Sequence, residues 1–170
     1  MGRPTWEADF ETFVVAAWPR LRRAAYLLTG NHQDAEDLVQ TVLARTYVAW
    51  PRIKQDDVYA YARRSLVNAN IDRSRRRRFT DVPVPPDGVL AGPSHTAADD
   101  RDEIVRLLQC LSPRERAVVV LRYYCDASVR QVAAELGISA GTVKSTASRS
   151  LEKLRVAGDG SHLPINEGRQ

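Results

Sequence analysis

Apolar residues recur every three or four positions through most of the first 78 residues. Phe10, Phe13, Val14, Ala17, Leu21, Ala24 and Leu28 make one stripe, so the spacing predicts an amphipathic helix that ends at Gly30. Pro19 lies within it and is expected to bend or divide the helix, because its ring removes one backbone donor. Ala35, Leu38, Val39, Val42, Leu43, Thr46 and Trp50 predict a second helix from about Gln33 to Trp50, which Asn31 can cap. A third, from about Asp57 to Arg77, turns Val58, Ala62, Leu66 and Ala69 inward and leaves Arg63, Arg64, Asn68, Asp72 and Arg73 nearer its other faces. No strand pattern competes.

The second half is punctuated by caps. Ser112-Pro113-Arg114-Glu115 combines an N-cap serine, proline at the first helical position and glutamate at the third, and a helix through about Tyr124 follows. Ser128-Val129-Arg130-Gln131 repeats the capping box before a short helix that Gly137 ends, and Ser139 caps a last helix reaching about Arg155. Small Ala133, a glycine turn and Val143 as apolar anchor are the requirements of a tight helix-turn-helix. Between the halves, residues 79–100 (FTDVPVPPDGVLAGPSHTAADD) hold four prolines and two glycines with no helical or strand period, and read as a linker. Fully extended, those 22 residues reach at most roughly 70 Å. The expected fold class is all-α, two small helical domains (1–78 and 101–157) joined by a flexible linker, with a disordered tail over 158–170.

Charge sharpens this division. Residues 1–78 carry +5, residues 79–100 carry −4 and residues 101–170 carry +3, of a total of +4. Of 25 basic residues 22 are arginine, the better choice for bidentate contacts to phosphates and guanines, although a GC-rich genome gives the same bias. No apolar run approaches the roughly 20 residues of a membrane helix and the first residues lack the order of a signal peptide, so a cytoplasmic protein is expected. Cys110 and Cys125 cannot form a disulfide framework, and His32, His95 and His162 do not stand near them at zinc-site spacing. No Gly-rich phosphate loop and no nucleophile set is legible, and neither a metal scaffold nor a cofactor is expected.

Three surfaces carry candidate chemistry. On the last helix Val143, Ala147, Leu151 and Leu154 face inward, while Thr142, Ser145, Ser148, Arg149 and Glu152 lie opposite with Lys144 on the flank. That face fits a major groove, with Arg149 able to reach a guanine and Lys144 a phosphate, or it is an ordinary solvated face. The run Arg73, Arg75, Arg76, Arg77 and Arg78 offers a basic surface, equally suited to a helix C-terminus through its dipole. Tyr59 and Tyr61 upstream suit stacking of an unpaired base, or the core. Asp34, Glu36 and Asp37 suit the dipole of the second helix's start, and could also face a basic protein partner or ligate a nuclease metal.

These residues resemble the extracytoplasmic-function, or group IV, sigma factors of bacterial RNA polymerase, sigma-70 proteins that keep only regions 2 and 4. Asp34-Ala35-Glu36-Asp37-Leu38-Val39-Gln40 resembles region 2.2, which in the family binds the β′ clamp helices. Asn68 to Arg77 resembles the Asn-x-x-x-Asp-Arg-x-Arg segment of regions 2.3 and 2.4, used in the family to open and read the minus-ten element. Leu111 to Arg116 with Val120 to Tyr124 resembles the start of region 4, and Gly137 to Ser145 its helix-turn-helix, which reads the minus-35 element. Where family members often carry Arg and Ala, this chain has Thr146 and Ser150.

The resemblance implies a non-catalytic specificity subunit that binds core RNA polymerase through Asp34, Glu36, Asp37, Leu38 and Gln40, and through the β flap. It implies minus-ten contacts from Tyr59, Tyr61, Arg64, Asn68, Asp72, Arg73, Arg75, Arg76 and Arg77. It implies minus-35 contacts from Ser139, Gly141, Thr142, Lys144, Ser145, Ser148 and Arg149. The acidic linker would run toward the active site and RNA exit, and an anti-sigma factor is a common partner in the family. The alternatives are a stand-alone helix-turn-helix regulator, which binds an operator as a dimer without polymerase, and a metal-dependent nuclease.

Overall fold

The computed structural model describes residues 6–54, 57–79 and 97–158, and among them every regular element is helical. Three long helices make the first half: α1 (Glu7–Thr29), α2 (His32–Ala49) and α3 (Val58–Phe79). Four make the second: α4 (Ala97–Leu108), α5 (Pro113–Val119), α6 (Val129–Leu136) and α7 (Ala140–Gly158). The local punctuation acts as the sequence predicts. Asn31 accepts from the Asp34 amide, both capping boxes close, and Gly30 and Gly137 end their helices at φ +73° and +62°, where a side chain would be strained.

Several boundaries differ from expectation. Pro19 does not divide α1; its ring faces solvent, so the helix forfeits one backbone bond on its wet side and continues. Trp50 leaves α2 and starts a 3-10 turn, Trp50–Arg52, because Pro51 cannot continue the α-helical bonding. Its ring, 6% exposed, packs edge-on to Phe10 at 5.2 Å. After α5 the chain widens into a π turn, Val120–Tyr124, where an α-helix was expected. There Arg122 donates to the Ala127 carbonyl and the Ala127 amide to Leu121. The expected linker shrinks at both ends: α3 runs through Phe79, and α4 starts at Ala97. The rest of the linker lies outside the described residues, as does the expected tail beyond Gly158; Gly158 itself is buried at the end of α7, against Leu107.

The halves share one core. Leu21, Leu28, Val39, Leu66 and Val67 of the first half belong to the same buried cluster as Val105, Leu121, Val132 and Val143 of the second. Three polar contacts fasten the seam. Arg116, 8% exposed, donates to the Leu28 carbonyl at the end of α1 (2.6 Å) and to those of Leu108 and Leu111 at the end of α4 (2.8 and 3.0 Å). One guanidinium thereby satisfies two helix C-termini, whose dipoles favour a cation. Burial draws its pKa down to about 10, which leaves it charged at neutral pH. Arg63 of α3 pairs with Glu135 of α6, with side chains only 7% and 9% exposed. At the rim, the Tyr26 hydroxyl meets Asp102 at 3.1 Å, and Gly30 lies so near Gln109 that an added Cβ would come within 2.6 Å of its amide.

Candidate nucleic-acid interface

Helix α7 starts from Ser139, whose hydroxyl accepts from the Thr142 amide (3.0 Å) and bonds the Thr142 hydroxyl (2.8 Å). Both hydroxyls serve the cap first. Val143 and Ala147 are buried and Leu151 and Leu154 half-buried, as the stripe predicts, while Gly141, Thr142, Lys144, Ser145, Ser148 and Arg149 are all exposed. Lys153 pairs with Glu115 of α5 at 2.7 Å, which fixes the pitch of α7 against the helix before it. That contact and the Ser112 amide hold the Glu115 carboxyl below its ordinary value. Thr146 is half-buried and Ser150 fully buried, its hydroxyl without a partner. Neither reaches the outward row.

On α3 the candidates separate. Arg64, Asn68, Asp72, Arg75, Arg76 and Arg77 are exposed, and Tyr61 is half-buried. Tyr59 faces the seam: Arg20 of α1 stands 4.5 Å over its ring and Arg63 5.9 Å away, and burial pushes its hydroxyl pKa up. Tyr59 is half-buried like Tyr61, and the cation over its ring comes from α1 of its own half.

The acidic start of α2 is bonded within the chain. Asp34 pairs with Arg73 and, at 3.1 Å, with Arg77, bracing α2 against the end of α3. Glu36 pairs with Arg22 at 3.0 Å, and Asp37 accepts from Gln33 at 3.2 Å. The three carboxylates share no partner, so they do not converge as the nuclease alternative requires. Leu38 is 4% exposed, so it packs the core rather than facing a partner; Gln40 is exposed. Sequence reasoning passed over Arg63, Glu135 and Arg116. Their only signal was a charge on a helix face, and their partners lie 72 and 88 residues away.

Residues 13–80 match the model of sigma-70 region 2, and residues 101–154 that of sigma-70 region 4. The RNA polymerase sigma-E factor of Streptomyces coelicolor is 39% identical over 151 residues, 86% of this chain and 84% of that protein. The chain belongs to the extracytoplasmic-function sigma factors of the sigma-70 family. A second relative, the sigma factor SigL of Mycobacterium tuberculosis, is 36% identical over 150 residues, 80% of this chain and 81% of the other. The fold matches the sigma factor RpoE of Bartonella quintana, solved in complex with the anti-sigma factor NepR, at a TM-score of 0.76 and 25% identity over 91% of this chain and 99% of that one. CnrH, solved with the cytosolic domain of CnrY, shares the fold at a TM-score of 0.69. As a sigma factor the chain serves RNA polymerase in transcription initiation at promoters, and the stand-alone regulator is not favoured. No helix among the described residues is long and apolar enough to cross a membrane.

Proposed function

We propose that residues 1–78 work as region 2 and residues 101–157 as region 4, with the site residues divided as the family pattern divides them. The α7 row Gly141, Thr142, Lys144, Ser145, Ser148 and Arg149 reads the minus-35 element in the major groove. Ser139 sets its angle through the cap. Arg64, Asn68, Asp72, Arg73, Arg75, Arg76 and Arg77 follow the backbone and bases of the minus-ten element, with Tyr59 and Tyr61 as stacking surfaces. Asp34, Glu36, Asp37 and Gln40 meet the β′ clamp helices, with Leu38 shaping that surface from beneath. The subunit contributes binding energy and no chemistry of its own, acts in the cytoplasm, and is a target for an anti-sigma factor.

The observation that carries this reading is the pairing of an exposed α7 row with the exposed arginines Arg75, Arg76 and Arg77 of α3 in one body. The names of the two promoter elements put them roughly 25 base pairs apart, about 85 Å at about 3.4 Å per pair. A globule of this length has a radius of gyration of only about 15 Å. The shared core must therefore part before both elements are held. Transcription from a promoter-fragment library by purified core polymerase, with and without the chain, tests the assignment. Chain-dependent transcripts that share two upstream elements are expected, weakened by Arg149→Ala at the upstream element and by Tyr59→Ala at the melting step. Equal activity of both variants and the wild type would overturn it.

A further inference from the structure

Between α2 and α3 lies a groove of about 290 Å³ whose walls carry four arginines. Arg45 comes from α2, and Arg73, Arg76 and Arg77 from α3, with Asp37 and Asp72 as the carboxylates among the lining. On α3 the arginines follow the three- and four-residue steps of one helix face, so they look across the groove toward Arg45. Asp34 compensates Arg73 and Arg77 at one end of α3. Arg45 is exposed and has no hydrogen-bond or ion-pair partner among the described residues, so no direct contact holds its guanidinium.

Guanidiniums are planar forks that match phosphate oxygens two at a time. Several of them on facing walls of one concavity match a chain of phosphates better than a single anion. The exposed Asp72 carboxylate at the lining can accept from sugar hydroxyls. We propose that this groove binds the phosphate chain of a nucleoside polyphosphate, with Arg45 as its dedicated ligand and Arg73, Arg76 and Arg77 as shared ones. The site stands on its lining and not on the promoter reading. Where both hold, the ligand competes with minus-ten DNA for the α3 arginines and couples promoter binding to nucleotide supply.

The test uses the full chain without polymerase. Isothermal titration with inorganic tripolyphosphate and with ATP is expected to show saturable one-to-one binding, while adenosine shows none. Arg45→Gln is expected to weaken both at least tenfold with helicity unchanged by circular dichroism, and Arg114→Gln, the same charge loss outside the groove, to leave both unchanged. Equal weakening by the two variants would mean general attraction to a basic protein and overturn the site. A single-stranded oligonucleotide that binds through Arg45 while tripolyphosphate does not would assign the groove to nucleic-acid backbone and overturn the soluble ligand. Failure of all probes to bind overturns it as well.

Discussion

Glu135→Gln removes a charge from the seam between the halves while nearly preserving its volume. In the wild type Arg63 and Glu135 are almost fully buried, and burial works against the arginine's charge until the carboxylate outweighs it. Without the carboxylate the guanidinium stays buried and uncompensated. Breaking such a pair from one side costs about 3 to 5 kcal/mol, and the glutamine oxygen still accepts one bond, so the lower end applies. About 3 kcal/mol shifts the open population on the order of 100-fold, at about 1.4 kcal/mol per tenfold. Cys125 is the reporter: 6% exposed, beside Arg63 and Arg20 of the first half, with burial pushing its thiol up to about 11. Opening exposes the thiol and returns it toward its ordinary value, so its alkylation rate follows the open population. In a Cys110→Ser background at pH 8, Glu135→Gln is expected to raise that rate on the order of 100-fold with helicity retained. Glu152→Gln, a charge loss on the exposed face of α7, is expected to leave it unchanged. The double variant Arg63→Met/Glu135→Leu, which needs no counter-charge, is expected to recover most of the protection. A Glu135→Gln rate within threefold of the wild type would refute the seam as what shields Cys125.

Arg116→Met strands the carbonyls of Leu28 and Leu111, while Leu108 keeps the Leu111 amide, and urea denaturation is expected to show a loss of at least about 2 kcal/mol, at about 1 to 3 kcal/mol for each unmet buried group. Ser150→Ala removes a buried hydroxyl that bonds nothing, so the same measurement is expected to show a gain of about 1 kcal/mol; a loss would mean that the hydroxyl is bonded. Cys125 keeps its proton more tightly folded than unfolded, so its contribution is complete below about pH 9 and vanishes as pH rises toward about 11. Cys125→Ala is expected to flatten the alkaline fall of stability across that window, and an unchanged slope would contradict the assignment. Asp34→Asn removes the carboxylate that pairs with Arg73 and Arg77, and at low salt the free chain is expected to bind a minus-ten single strand more tightly, as read by fluorescence anisotropy.

What the sequence disclosed was whatever depended on residues within about a turn of one another. Asn31, the serines of both capping boxes, Gly30 and Gly137 act where the pattern placed them, because a cap is made by side chain and backbone three residues apart. The α7 face was legible for the same reason. Arg63 and Arg64 show the limit. They are neighbours of one residue type, and only the helix of the other half decides that Arg63 is buried and Arg64 exposed. Arg116 reads as a solvated arginine inside a capping sequence, yet the carbonyls it serves come from α1 and α4. Asp34 looked like a partner-facing charge, because its position announces the helix start and not the α3 arginines brought to it.

The bond from Arg116 to the Leu28 carbonyl also sets an order of events in synthesis. Its two ends are 88 residues apart, so at about 5–20 residues per second the ribosome makes the acceptor about 4–18 s before the donor exists. Throughout that interval the nascent first half lacks the guanidinium that meets the end of its α1. Every molecule thus passes through the open form once before it can shut, and a polymerase waiting near the ribosome meets that form first.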